Sequence, residues 1–155
     1  MYGGLGFVPG TGAGATAVKC LRREAVFDRE ANYTQIVKTV LVVEDTQDLR
    51  ELFIDALAEA GYRAQGAENG REALDVLATM PEKPCVVLLD MMMPVMDGAE
   101  FLVAVHANPE LAALPIVIVS AATTKLPAGV QRVMKKPVAM DALLETVSEF
   151  CCGNA

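Results

Sequence analysis

Five residues stand out for the chemistry they could do together: Glu44, Asp45, Asp90, Ser120 and Lys136. Asp90 closes the apolar run Val86-Val87-Leu88-Leu89, and the adjacent acids Glu44 and Asp45 close a second one, Val40-Leu41-Val42-Val43. Three ionised carboxylates held close together are costly, because like charges raise one another's pKa. A hard divalent cation removes that cost. Mg²⁺ takes oxygen ligands at about 2.1 Å and is commonly held by one or two carboxylates plus phosphate oxygens. Three acids with no imidazole or thiol among them therefore point to Mg²⁺ or Mn²⁺ over zinc. Phosphate chemistry follows, since a carboxylate can act as nucleophile and form an aspartyl phosphate. The charge on the transferred group then calls for a cation and a donor. Lys136 offers the first and Ser120 the second. Taken singly, each residue has an ordinary explanation: a strand-end or capping aspartate, a turn serine, a solvated lysine.

These five residues require elements that end at one place. The runs at 39–43, 86–90 and 115–119 are apolar and rich in Val and Ile, as strands buried on both faces of a parallel sheet are. Residues 62–67 alternate polar positions like an edge strand, and Val130–Met134 reads as a fifth strand. Between them lie helical patterns. Thr46 caps a helix whose apolar face is Leu49, Leu52, Phe53, Ala56 and Leu57, and Gly61 stops it. Asn69 caps a second helix, with Ala73, Leu74 and Leu77 inward and Val76 alongside. Asp97-Gly98 opens a third, with Phe101, Leu102 and Val105, which Asn108-Pro109 ends. The last helix runs from about Ala139 to Phe150 with Leu143, Leu144 and Val147 inward. Strands alternating with helices imply an α/β fold, a doubly wound five-stranded parallel sheet with right-handed crossovers. If the order is 2-1-3-4-5, that of known flavodoxin-like sheets, strands one and three are neighbours at the switch point. Glu44, Asp45 and Asp90 then converge at their carboxyl ends, where such sheets bind ligands.

Composition narrows the field. The chain has 155 residues, 53% of them hydrophobic, and a formal net charge of −7. That balance argues against a nucleic-acid-binding surface, and no apolar run is long enough for a membrane span. Cys20, Cys85, Cys151 and Cys152 lack metal-ligand spacing, and His106 alone cannot complete a zinc site. Cys85 reads as a small core residue and Cys151-Cys152 as part of a frayed tail, all reduced in a cytoplasmic protein. Residues 1–38 read as a flexible extension, 39–150 as the domain and 151–155 as a C-terminal tail. Gly10-Thr11-Gly12-Ala13-Gly14-Ala15 fits a dinucleotide fingerprint in form, but without the βαβ unit it needs. A secretory signal fails for want of a basic start and an unbroken apolar core.

From Thr39 to Phe150 the chain resembles the receiver domain of two-component response regulators, in its stand-alone form. Glu44-Asp45, Leu88-Leu89-Asp90-Met91-Met92-Met93-Pro94 with Met96-Asp97-Gly98, Val119-Ser120-Ala121 and Lys135-Lys136-Pro137 carry the likeness. The resemblance implies that Asp90 is the phosphoacceptor. Glu44, Asp45, Asp90 and the backbone carbonyl of Met92 would hold Mg²⁺, Lys136 would pair with the phosphoryl group, and Ser120 would move inward as the switch. It implies a histidine kinase or phosphotransfer protein as donor and an unidentified downstream protein as target. It also implies a monomer or weak dimer, and no enzyme beyond self-phosphorylation and self-dephosphorylation. The peptide before Pro137 is often cis in this family.

Two features depart from the family pattern. Val133 stands where a switch aromatic is usual, and it has no ring to flip. Ser120 and Lys136 are 16 positions apart, fewer than is typical. Residues 121–129, with Pro127 and Gly129, therefore read as a loop and the fourth helix as shortened or missing, which remodels a common output face. Met92 and Ala122 flank the phosphoryl site in the family and cannot orient a water, so slow self-dephosphorylation is expected. A haloacid-dehalogenase-type enzyme needs an acid two positions after Asp90, and this chain has Met92. A flavodoxin needs a phosphate loop after strand one, where Glu44-Asp45 would repel phosphate. The alternative that stays open is a degenerate, non-phosphorylated interaction module.

Overall fold

The computed structural model describes residues 37–122 and 125–153. The nucleotide, signal and extension readings of the N-terminus, and Cys20, lie outside or almost wholly outside these residues. Five parallel strands form the centre: β1 (Thr39–Val43), β2 (Arg63–Ala67), β3 (Val86–Leu89), β4 (Ile116–Ser120) and β5 (Arg132–Lys135). Their order is β2-β1-β3-β4-β5, the flavodoxin-like arrangement expected from the sequence. Among the described residues, four helices complete the unit: α1 (Gln47–Glu59), α2 (Gly70–Thr79), α3 (Gly98–Ala107) and α4 (Met140–Cys152). Between β4 and β5 the described residues contain no helix, matching the short crossover.

The apolar runs are uninterrupted because both faces of the sheet are covered. On one face Leu41, Val43, Val87, Leu89, Ile116 and Ile118 pack with Ala73, Leu77, Phe101, Leu102 and Val105 from α2 and α3. On the other, Val40, Val42, Val86, Leu88, Val117 and Val119 pack with Phe53, Leu57, Leu143 and Val147 from α1 and α4. The register β1–β3 pairs Val43 with Leu89. One bond past the strands, the Asp90 N–H still reaches the Val43 carbonyl at 2.9 Å, and the Glu44 N–H reaches the Ala67 carbonyl at 3.0 Å. The ladder thus carries its order into the first loop residues, and these are the acids.

Three expectations need correction. Leu52 points outward and is 54% exposed; the buried stripe of α1 runs through Phe53 and Leu57 with Leu49 beside it, a narrower face than the apolar residues suggest. Thr46 precedes α1 but its side chain makes no capping bond. Cys151 and Cys152 are not in a frayed tail. They form the last turn of α4, Cys151 is buried, and its sulfur is bonded to that of Cys85 across a Cα separation of 5.0 Å. Cys85 precedes β3 and α4 lies over that strand's face, which brings the two backbones into disulfide range. The reduced reading, made from sequence spacing, had no access to that proximity.

Candidate functional site

The carboxyl ends of β1, β3, β4 and β5 deliver Glu44 with Asp45, Asp90, Ser120 and Lys136 to one rim of the sheet. Asp90 is buried and Glu44 nearly fully so, while Asp45 is exposed. Oxygens of the three carboxylates lie within 4.8 Å of one another. Lys136 follows β5, and its Nζ donates to Glu44 Oε2 at 2.6 Å and lies 3.6 Å from Asp90 Oδ2. Its side chain is 18% exposed, so it is no solvated surface lysine. Its backbone N–H donates to the Ser120 carbonyl at 2.9 Å, and the Lys136–Pro137 peptide is cis.

Burial pushes the Glu44 carboxyl above its ordinary range, and the Asp90 charge adds to this. The Lys136 ammonium and the Thr46 N–H, which donates to Glu44 Oε1 at 3.2 Å, act in the opposite direction. One lysine cannot balance three carboxylates. The cluster offers only hard oxygen donors, partly open to water through Asp45, which suits a hard divalent cation that keeps some of its waters. The residues present therefore fit Mg²⁺ on the chemistry of their donors.

Ser120 is fully buried, and its Oγ accepts from the Ala122 N–H at 3.3 Å. That leaves the hydroxyl proton available for an acceptor. Met92 is 72% exposed, and its N–H donates to Asp90 Oδ1 at 3.3 Å, so one acceptor oxygen of Asp90 is already oriented by the loop. Val133 is partly buried against the α2–α3 side of the core.

The loop after Asp90 is shaped by Gly98, read from sequence only as a helix start, and by Val95, which was not singled out. A Cβ on Gly98 would stand 2.7 Å from the Asp90 carbonyl oxygen and 2.8 Å from Met91 Cα. The start of α3 therefore approaches the Asp90 backbone as only glycine allows. Asp97 caps that helix in a full capping box with Glu100, anchoring the loop's far end. Val95, 81% exposed, has φ +68°, an outlier for a β-branched residue. The Asp-Gly pair signalled the turn, but nothing in the sequence marks Val95.

Five parallel strands in this order, with an acid cluster and a lysine at the carboxyl rim, define a receiver-type domain. The response regulator receiver domain model matches residues 40–148, and the chain belongs to that family. It is similar to the response regulator MprA of Mycolicibacterium vanbaalenii, 36% identical over 111 residues. That match covers 68% of this chain and 46% of the relative, so the chain spans about half of that protein's length. It is also similar to the polar-differentiation response regulator DivK of Brucella anthropi, 28% identical over 119 residues, 73% of this chain and 95% of that one. Among solved structures it resembles the receiver domain of sensor histidine kinase PA1611 from Pseudomonas aeruginosa PAO1, described with a magnesium ion coordinated in its active-site cleft. The TM-score is 0.68 at 21% identity, covering 74% of this chain and 98% of that one. At that identity the likeness bears on fold alone.

Proposed function

We propose that this receiver domain takes a phosphoryl group onto Asp90 from a phosphohistidine of a histidine kinase or phosphotransfer protein, and signals by binding a downstream protein or passing the group on. The observation that carries this is the meeting of Glu44, Asp45 and Asp90 oxygens within 4.8 Å, with Lys136 reaching both Glu44 and Asp90. Glu44, Asp45, Asp90 and the Met92 backbone carbonyl would hold Mg²⁺, as their hard oxygen donors suit. When bound, the ion supplies positive charge against the phosphoryl oxygens. A carboxylate oxygen of Asp90 forms the new O–P bond as the donor's N–P bond breaks, and the imidazole leaves with the electron pair. Lys136 turns toward the phosphoryl oxygens, and the Ser120 hydroxyl donates to one of them. Val133 brings no ring to this switch, so the signal leaves through the backbone around Ser120 and the crossover that follows it. The chain modifies its own Asp90 and acts on no substrate besides the phosphodonor.

Incubation with Mg²⁺ and acetyl phosphate, followed by intact mass, tests this. A gain of one phosphoryl group that Asp90→Asn abolishes is the expected result. No gain in the wild-type chain would favour the second reading, an interaction module that is never phosphorylated, for which Val133 and the absence of a helix among the described residues between β4 and β5 speak.

A further inference from the structure

Arg50 lies in the first turn of α1, where the aligned peptide dipoles disfavour a cation. Its guanidinium turns back from the helix. Nη1 donates to the Glu44 carbonyl oxygen at 2.6 Å and reaches the Asp45 carbonyl oxygen at 3.4 Å. One donor thus ties together two successive peptide units, those of both acids in the β1–α1 loop. The loop is held from the side of its main chain while the carboxylates face Asp90.

A second observation lies on the edge strand. A Cβ on Gly66 would stand 3.1 Å from Arg50 Cδ, 3.3 Å from Arg50 Cγ and 3.0 Å from Ile54 Cδ1. Those separations are tighter than ordinary van der Waals contact. The stem of Arg50 therefore passes over β2 in space left open by a residue that is otherwise a weak choice for a strand.

We propose that Arg50 is a positioning residue for the metal-binding loop, and that Gly66 is the clearance its side chain requires. The inference rests on the reading that Glu44, Asp45 and Asp90 hold Mg²⁺. Arg50 touches neither the reacting atoms nor the carboxylates; it acts through the two carbonyls it binds. Two effects of the residue oppose each other, and they separate cleanly. As a nearby positive charge it repels a cation, so removing it would tighten metal binding, an effect that salt screens. As a clamp it presets the ligands, so removing it would weaken metal binding. The 2.6 Å bond to the loop main chain favours the clamp, since outer partners of metal ligands are worth about 10–100-fold in affinity.

The test measures Mn²⁺ binding to the full chain by electron paramagnetic resonance. In parallel, acetyl phosphate labelling is titrated with Mg²⁺, and metal-free folding is checked by circular dichroism. Arg50→Gln is expected to weaken Mn²⁺ binding about tenfold. It should raise the half-saturating Mg²⁺ for labelling similarly while leaving the rate at saturating Mg²⁺ intact. That split separates a positioned loop from a damaged fold. Arg50→Lys keeps the charge without the planar fork and should fall between the two. Gly66→Ala should shift binding in the same direction by a smaller factor. Unchanged or tighter Mn²⁺ binding in Arg50→Gln overturns the proposal. If that variant does not fold, unchanged affinity in Gly66→Ala overturns it instead. A wild-type chain that binds no Mn²⁺ sinks the underlying metal reading as well; normal wild-type binding with indifferent variants sinks only the role of Arg50.

Discussion

Glu44 carries two jobs that conflict. It is the buried partner of Lys136 and one of the three acids available to a cation. Burial holds its carboxyl above the ordinary range, so the folded metal-free protein binds this proton more tightly than the unfolded chain does. That contribution to stability is fully present below the unfolded pKa and is lost as pH rises through the folded value. A metal needs the ionised form. The stabilisation conferred by Mg²⁺ should therefore grow as pH rises above the ordinary carboxylate range. Thermal melts with and without Mg²⁺ at a series of pH values would show it, and a constant difference would refute the competition. Met92 makes a second prediction at this scale. Its exposed side chain cannot orient an attacking water, so the acyl phosphate should outlast seconds, and Met92→Asn should shorten its life several-fold. Release from acetyl-phosphate-labelled protein reads both, and a wild-type lifetime of seconds would dispose of the idea.

The elements position the site by simple means. Parallel pairing sets β1 and β3 level, so that Glu44 and Asp90 leave the sheet side by side with their N–H groups still in the ladder. The loop after Asp90 is then drawn tight by Gly98 and the Asp97–Glu100 capping box. Val95 is the strained point of that loop. A left-handed β-branched residue costs about 1–3 kcal/mol, and because Val95 is 81% exposed little packing offsets it. Val95→Gly should stabilise the protein by about 1 kcal/mol after the extra unfolded-state entropy of glycine. Urea denaturation decides the matter: a lower midpoint would show that the side chain makes contacts that matter more than the strain.

At the scale of the molecule, two apolar layers sandwich the sheet, and the Cys85–Cys151 bond fastens the end of α4 to the start of β3. These cysteines are 66 positions apart. Closing a loop of that length restricts the unfolded chain by about 4 kcal/mol on the entropic account. Reduction should accordingly lower the melting temperature, and Cys85→Ala should lower it in the absence of reductant. Equal melting with and without reductant would show that the bond does not stabilise the fold. The bond lies at the opposite end of β3 from Asp90, so neither treatment should change the half-saturating Mg²⁺ for labelling.

The sequence by itself determined the five strands, the alternation of helices and the identity of the acids, serine and lysine. Those signals are local: buried parallel strands read as unbroken apolar runs, and the residues that follow them stand out against that background. It also showed the short crossover after Ser120, because a helix needs residues that this interval does not have. Only the tertiary structure decided the rest. The inward turn of Lys136 onto Glu44, the outward turn of Leu52, the backbone of Val95 and the pairing of Cys85 with Cys151 all depend on what stands opposite each residue. Arg50 is the clearest case. In sequence it is one more charge on an amphipathic helix; in space its guanidinium lies 2.6 Å from the main chain of Glu44. Distances between residues far apart in the chain are set by how layers pack, and no local pattern records them.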